Sequence, residues 1–212
     1  VMKAGSAHYH LNPTVFQQKP AIRTSVNFKT NSFFDKIFSI RDTLTAYAAI
    51  SNYAPLYHIR SIHEGNTHFM EEMWTRKFGS DYTEIQTQRT QNGKIRIDTL
   101  LSVSGLGYDL LNIFLYVRQL DYTSLNPGDN LQITIFLGNK KANLIIRYAG
   151  PTIVERHNQS KQNAFFLSVD IANEVFAEAK NAMEIWISDD EYHVPLKMKA
   201  KLKIGAAEAE LI

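Results

Sequence analysis

The chain has 212 residues, of which 44% are hydrophobic and 21% are charged, and it contains 12 Phe and 10 Tyr. This composition excludes a disordered or fibrous chain, and the length fits one domain with its own hydrophobic core. The formal net charge is +2, from 23 Lys plus Arg against 21 Asp plus Glu, and the two signs are interspersed. The sequence therefore lacks the concentrated basic stripe by which proteins bind nucleic acid.

The absence of Cys excludes disulfides, thiolate metal sites and cysteine nucleophiles. No stretch approaches the roughly 20 apolar residues that span a bilayer, so we expect no transmembrane segment. The first residues, Val1-Met2-Lys3-Ala4-Gly5, contain no apolar signal core, so an exported native protein would have lost its signal from this sequence.

Alternation of apolar and polar residues with a period of two dominates the sequence and predicts a sheet built from hairpins and meanders. Asn92-Gly93 and Gly138-Asn139 are strong hairpin turns, because Gly and Asn tolerate positive φ, and Asn126-Pro127-Gly128-Asp129 is a further turn. Strands are predicted at residues 3–11, 20–29, 43–50, 54–63, 66–77, 82–89, 94–103, 130–137, 140–148, 151–157, 164–171, 182–188 and 192–204.

Two or three segments have helical spacing instead. Between residues 108 and 120, apolar side chains recur every three or four positions, and Asp109 is placed to cap the helix. Residues 31–40 and 171–180 are shorter candidates. No repeat or linker divides the chain, so we expect a single domain over residues 1–212. The predicted fold is mainly β, a large curved antiparallel sheet resembling an open barrel or a sandwich, with one or two short helices packed against it.

The histidines are the first candidates for chemistry, since His58, His63 and His68 lie among several glutamates. Two of them could meet across a hairpin at Gly65-Asn66, which leaves open a metal-dependent hydrolase. The spacing H-E-x-x-H is absent, however. We favour scattered surface or half-buried histidines, and we predict no catalytic residue, no metal and no cofactor.

Two charged segments are interpreted as structural. Asp189-Asp190-Glu191 lies between two predicted strands and lacks the ligand spacing of a calcium-binding loop, so we expect these side chains to bond their own backbone. Lys197, Lys199, Lys201 and Lys203 alternate along one strand face. We favour a solvated face that protects an edge strand over a polyanion site.

Aromatic side chains fall on successive predicted strands, and a curved sheet that they line can enclose an apolar ligand. A core beneath a helix is the alternative that such side chains more often form. The residues expected to line a pocket are Tyr47, Tyr57, Phe69, Trp74 and Phe114.

Several blocks together resemble the domain-of-unknown-function 3108 family over nearly the whole chain. The most distinctive is the Trp-Ile-Ser-Asp-Asp block with its following proline, and its structural residues are Trp186, Asp189, Asp190 and Pro195. The others are Lys3-Ala4-Gly5-Ser6-Ala7, the run from Asp109 to Arg118, the turn-rich stretch to Gly128, and Gly205 before Leu211. Some relatives have a cysteine in the second half that this chain lacks, which argues against thiol chemistry here.

The resemblance implies an exported protein of Gram-negative bacteria, located in the periplasm or at the outer membrane, with no established activity and no catalytic residues. The leading hypothesis is a non-catalytic envelope protein that binds a lipid-like or other apolar small molecule. The alternatives are an interaction module that assists assembly of another envelope component through a sheet edge or the basic strand, and the histidine-based hydrolase. Neither the ligand, the envelope partner, the oligomeric state nor a lipid anchor can be assigned from the residues.

Overall fold

The computed structural model describes residues 5–32, 34–36, 39–156, 160–172, 179–201 and 206–210. The mainly β class is confirmed, because fourteen strands contain most of these residues and the helical segments are short. The strands are β1 Gly5–Phe16, β2 Lys19–Thr30, β3 Arg41–Ala49, β4 Pro55–Glu64, β5 Thr67–Lys77, β6 Tyr82–Gln91, β7 Lys94–Ser104, β8 Gly107–Asp109, β9 Asn130–Leu137, β10 Lys140–Glu155, β11 Lys161–Ala172, β12 Ala179–Ser188, β13 Pro195–Lys201 and β14 Ala206–Glu210. The helix α1 spans Asn112–Arg118, and a 3-10 turn spans Phe34–Lys36.

The strands form two seven-stranded sheets in which neighbours in space are neighbours in sequence. The first sheet has the order β1-β2-β3-β4-β5-β6-β7, and the second has the order β14-β13-β12-β11-β10-β9-β8. Within the first sheet every pairing is antiparallel. Such meanders follow from short turns such as Asn92-Gly93, where both residues have positive φ.

Contacts divide the chain into two compact units. The first contains residues 1–113 and 136–140, and the second contains residues 114–135 and 141–212. The single-domain organisation expected from the sequence stays a prediction. In the part of the chain that the structure describes, no helix is long and apolar enough to cross a bilayer.

Several predicted boundaries were wrong. The segments 140–148 and 151–157 are one strand, β10, which continues through a register shift between Tyr148 and Gly150. The last predicted strand, 192–204, begins only at Pro195, and β14 follows it. Strand β8 was not predicted from the sequence, and neither was the second half of β1 up to Phe16.

The helices are shorter than expected. Residues 108 and 109 belong to β8, and α1 begins only at Asn112. Asp109 nevertheless lies at its start, where Oδ1 accepts the N–H groups of Leu111 and Asn112 at 2.9 and 3.0 Å. The helix expected at 31–40 is reduced to the 3-10 turn, with Phe33, Ile37 and Phe38 outside the described residues. The prediction of a helix at 171–180 was wrong at both ends, because residues 171–172 belong to β11 and residues 179–180 to β12. Residues 173–178 lie outside the described residues.

The first sheet has one buried face, on which Ala46, His58 and Met73 lie in register on β3, β4 and β5. These three side chains are at most 3% exposed. Phe136, from the tip of the hairpin between β9 and β10, is fully buried in a cluster with Met73 and Ile85. The hairpin tip is thus part of the core of the first unit.

A buried ion network fixes the same hairpin tip. Glu71 is fully buried and accepts hydrogen bonds from Arg60 Nε at 2.7 Å and Arg89 Nε at 2.8 Å. Gly138 packs directly on its carboxylate, because a Cβ built on that glycine would lie 2.5 Å from Glu71 Oε2. Thr87 also donates its hydroxyl to the carbonyl of Gly138 at 3.1 Å. A side chain at position 138 would therefore displace a paired, buried charge.

His58 is a buried titratable group on the same face. It is 2% exposed, and neither ring nitrogen has a protein hydrogen-bond partner among the described residues. Burial lowers the pKa of His58, and Arg60 lowers it further, whereas Asp109 and Glu71 act to raise it. His58 is therefore neutral in the folded protein near pH 7.

The second unit has its own core. Val154, Ala164 and Leu196 are buried together, and Trp186 packs against them. Strand β13 was expected to be an edge strand protected by lysines, which is wrong because it pairs with β12 and β14. Lys197 forms an ion pair with Glu208 of β14 at 2.8 Å. Lys203 lies outside the described residues.

The contact between Gly138 and Glu71 predicts a large cost for Gly138→Ala. Gly93→Ala is a matched control, since Gly93 also has positive φ but a Cβ there would meet nothing within 4 Å. Both variants strain the backbone, and only Gly138→Ala collides with the carboxylate. We expect Gly138→Ala to lower the free energy of unfolding by about 1–3 kcal/mol more than Gly93→Ala in urea denaturation. Equal losses would contradict the packing described.

The burial of His58 predicts a loss of stability in acid. In the unfolded chain this histidine is protonated below a pKa of about 6.5. In the folded protein its pKa is lower, so protonation favours the unfolded state. Stability therefore falls as the pH drops from about 6.5 toward the lower pKa of the folded state. Because one proton is involved, His58 changes the free energy of unfolding by at most about 1.4 kcal/mol per pH unit. His58→Leu should flatten the pH dependence of the unfolding free energy between pH 7 and 5. Exposed His8 provides the control, and a His8→Leu variant that flattens it equally would refute the assignment.

Candidate ligand-binding face

The opposite face of the first sheet carries a row of aromatic side chains. Tyr47, Tyr57 and Trp74 are direct cross-strand partners on β3, β4 and β5, so they share a face, while their chain neighbours point into the core. Their ring centroids are 6.1 and 5.7 Å apart. Phe16 completes the set by stacking on Tyr47 at 4.6 Å and on Tyr57 at 5.7 Å. We call these four residues the aromatic row.

The aromatic row is half-buried, since each of its four side chains has intermediate exposure. It differs in this respect from the core on the other face, where Phe136 is fully buried. Half-buried rings in van der Waals contact with each other still present edges or faces to solvent. The row can therefore contact a ligand without any rearrangement of the core.

A tight turn places Phe16 in the row. Gln17 and Gln18 connect β1 to β2, and both have positive φ, at 48° and 63°. This conformation is costly for residues other than Gly, Asn and Asp. The end of β1 at Phe16 could not be predicted from the sequence, because the turn that follows contains two glutamines rather than Gly, Asn or Asp. The only remaining signal for a strand was the position of Thr14 and Phe16 two residues apart. The turn is a strained backbone feature directly beside the candidate site.

Polar side chains border the row on β5, β6 and β7. Tyr57 donates its hydroxyl to Glu72 Oε1 at 2.5 Å, and burial, followed by this carboxylate, raises the pKa of Tyr57 above its usual range. Gln86 and Gln88 both donate to the carboxylate of Asp98. We call Glu72, Gln86, Gln88 and Asp98 the polar rim.

An open concavity of about 480 Å³ lies where the aromatic row meets the polar rim. It is lined by Trp74, Arg76, Gln86, Gln88 and Asp98. Another concavity of similar volume lies elsewhere in the first unit, beside Thr30, Asp35 and Arg41. Arg41 is engaged there by the carboxylate of Asp35, and this pairing lowers the pKa of Asp35. Of these two concavities, the one beside Trp74 adjoins the half-buried aromatic row.

Three of the five residues expected to line a pocket come together, and two do not. Tyr47, Tyr57 and Trp74 belong to the aromatic row. Phe69 lies on the other face of β5, where the guanidinium of Arg89 lies 4.4 Å from its ring centroid. Phe114 belongs to the second unit. The alternation of β5 explains the separation of Phe69 from Trp74, because residues five apart on a strand point to opposite faces.

The three histidines do not converge. His63 and His68 are directly opposite each other on β4 and β5, with ring centroids 4.9 Å apart, and both are exposed. His58 points to the buried face, five residues from His63 on a regularly paired strand. Within the described ranges, no three His, Asp or Glu side chains are grouped so that they could hold a metal ion. Among the described residues, the three histidines therefore do not form one cluster.

The acidic turn of the second unit is structural, as expected from the sequence. Asp190 Oδ1 accepts bonds from the hydroxyl of Ser188 and the N–H groups of Tyr192 and His193, at 2.8, 2.9 and 3.2 Å. Burial acts to raise the pKa of Asp190, but these hydrogen bonds outweigh it and lower the pKa. Asp189 is exposed. The carboxylate of Asp190 therefore stabilises the backbone of its own turn.

The same turn is attached to the end of α1. Arg118 donates from Nε and Nη2 to the carbonyl of Tyr192, both at 3.1 Å. His193 Nδ1 lies 3.1 Å from the carbonyl of Arg118, so this nitrogen carries the proton. Trp186 is half-buried and stacks on Phe166 at 5.0 Å, and Pro195 begins β13. The block that the sequence analysis singled out thus holds a helix end and a hairpin of the second unit.

Comparison with solved structures supports the fold. A structure described as a crystal structure of a beta-barrel-like protein of domain of unknown function DUF1849 from Brucella abortus matches with a TM-score of 0.64. The match covers 98% of this chain and 86% of that chain at 8% sequence identity. At this identity the similarity shows the fold alone. No curated protein matches the sequence.

The family comparison covers the full length. The family model described as "Protein of unknown function (DUF3108)" matches residues 1–212, which include the aromatic row, the polar rim and the acidic turn. The resemblance drawn from the Trp-Ile-Ser-Asp-Asp block and its neighbours is confirmed. This chain belongs to the DUF3108 family.

Proposed function

We propose that this protein is a non-catalytic, exported envelope protein that binds a ligand through the aromatic row. The observation that carries the proposal is the continuous contact of four half-buried rings on the face opposite the core. Rings that served only the core would be expected on the buried face with Phe136. Aromatic surface bordered by polar groups is the usual composition of a binding site for a small molecule.

The polar groups of the site are engaged in hydrogen bonds with each other or with Tyr57, which supports binding rather than catalysis. Glu72 is the carboxylate next to the rings. Burial, followed by the contact with Glu72, raises the pKa of the Tyr57 phenol, so Tyr57 stays protonated near neutral pH. The other rim groups are two amides and the carboxylate that they contact. These groups can orient a ligand by hydrogen bonds.

The other two functions considered from the sequence have less support. The hydrolase requires His58, His63 and His68 on one face, and they lie on two. The interaction module was expected on a sheet edge or on the basic strand. Strand β13 lies between β12 and β14 rather than at an edge, and its Lys197 is paired with Glu208. The envelope location remains part of the proposal and rests on family membership.

Ligand binding is testable because the chain has only two tryptophans, Trp74 and Trp186. Trp186→Phe leaves Trp74 as the single fluorophore beside the candidate site, and Trp74→Phe leaves Trp186 in the second unit as the matched control. Each variant would be titrated with two fractions of a Gram-negative envelope, a lipid extract and solubilised cell-wall glycan. We expect at least one fraction to shift Trp74 emission and leave Trp186 emission unchanged. If neither fraction affects Trp74, the proposed binding face is wrong.

The envelope location predicts where the full-length native protein fractionates. Osmotic shock of Gram-negative cells should release it with the periplasmic proteins, or membrane fractionation should recover it with the outer membrane. An enzyme known to stay in the cytoplasm serves as the control for cell lysis. Recovery together with that marker would contradict export.

A further inference from the structure

We propose that the ligand of the aromatic row is a glycan chain, specifically an extended chain of β-1,4-linked pyranose sugars. This inference rests on the proposed function, because it names the substrate class for the same face. It is carried by the spacing of the rings, by the chemistry of the polar rim, and by the open form of the concavity beside Trp74.

The spacing of the rings matches a repeating ligand. Tyr47, Tyr57 and Trp74 occupy three adjacent strands, and neighbouring strands lie about 4.8 Å apart, so the row spans roughly 10 Å. The observed ring centroids are 5.7 to 6.1 Å apart along the row. One sugar of an extended β-1,4-linked chain advances the chain by about one such step. The step of such a chain therefore matches the step between neighbouring rings of the row.

The type of contact also suits a sugar. A pyranose with equatorial substituents presents C–H groups on its flat faces and hydroxyls around its edge. Aromatic faces attract the weakly positive C–H groups. Phe16 stacks on Tyr47 and Tyr57, whereas the half-buried ring of Trp74 lines the open concavity. A sugar on Trp74 would not be enclosed, so its hydroxyls would remain at the rim or in water.

The polar rim supplies partners for those hydroxyls. Asp98 is exposed, and its carboxylate only accepts hydrogen bonds. Gln86 and Gln88 each have two amide N–H groups and a carbonyl oxygen, and each uses an N–H toward Asp98. Arg76 adds a donor at the wall of the concavity. Donors and acceptors therefore lie next to each other in the rim. This suits sugar hydroxyls, because each of them can both donate and accept a hydrogen bond.

An acyl chain fits this face less well than a sugar. Its binding is favoured by removing apolar surface from water, which needs enclosure by apolar walls. The concavity beside Trp74 is open and has four polar residues among the five that line it. Methylene groups placed there would remove Gln86, Gln88 and Asp98 from water without offering hydrogen bonds, which is unfavourable.

The test compares defined ligands on the full chain carrying Trp186→Phe, with Trp74 emission and titration calorimetry as readouts. The probes are β-1,4-linked N-acetylglucosamine and glucose oligomers of two to four sugars, an α-1,4-linked glucose tetramer, and palmitate. We expect at least one β-linked series to bind, with affinity rising from dimer to tetramer as more rings are covered. The α-linked tetramer, whose chain curves, should bind about tenfold more weakly or not at all.

Variants assign the binding to the two parts of the site. Trp74→Ala should weaken binding of the β-linked tetramer by about tenfold or more, because it removes the ring that lines the concavity. This variant would be followed by calorimetry, because it removes the fluorophore. Asp98→Asn, at an exposed rim position, should weaken glycan binding several-fold. Ile95→Ala, an exposed apolar side chain of β7 outside the row, is the control and should change nothing.

The outcomes separate this inference from the proposed function. Thermal unfolding by circular dichroism checks that each variant is folded, and Asp98→Asn carries the test if Trp74→Ala is not. Binding of palmitate but of no glycan, with a shift in Trp74 emission, overturns the glycan inference and keeps the binding face. Binding of glycan that is insensitive to both Trp74→Ala and Asp98→Asn overturns the inference as well. No response of Trp74 to any envelope fraction or defined probe overturns both.

Discussion

The alternation of side chains across β3, β4 and β5 is the constraint on which the candidate site depends. Because successive residues of a strand point to opposite faces, burying Ala46, His58 and Met73 requires that Tyr47, Tyr57 and Trp74 share the other face. A shift of one strand by a single residue would exchange the two sets. The core of the first unit and its aromatic row are therefore two results of one register.

Buried charge contributes to keeping that register. Glu71 follows the same alternation as Met73 and lies fully buried between Arg60 and Arg89, which come from the strands on either side. A slip of β5 against β4 or β6 would leave this carboxylate without its partners, at a cost of several kcal/mol. The ion network therefore opposes the same slip that would dismantle the aromatic row on the other face.

The sequence predicted the strands well where alternation and turn chemistry agree. Asn92-Gly93 and Gly138-Asn139 lie at the turns they predicted, and Asp109 caps α1. It failed where tertiary contacts override local signals: the Gln17-Gln18 turn has no typical turn residue, and β10 runs through Gly150. Three of the candidate site residues were identified, but Phe69 could be excluded only from the register of β5, and Phe16 required the unexpected turn.

Solvent access to the aromatic row is the property on which the binding account stands or falls. Hydroxyl-radical footprinting measures it directly, residue by residue, with the fully buried Phe136 as the internal reference. The account predicts that Tyr57 and Trp74 are oxidised well above Phe136, and that a bound β-linked glycan protects both of them. Oxidation of the two rings at the level of Phe136 would show that the row is closed core and would contradict the account.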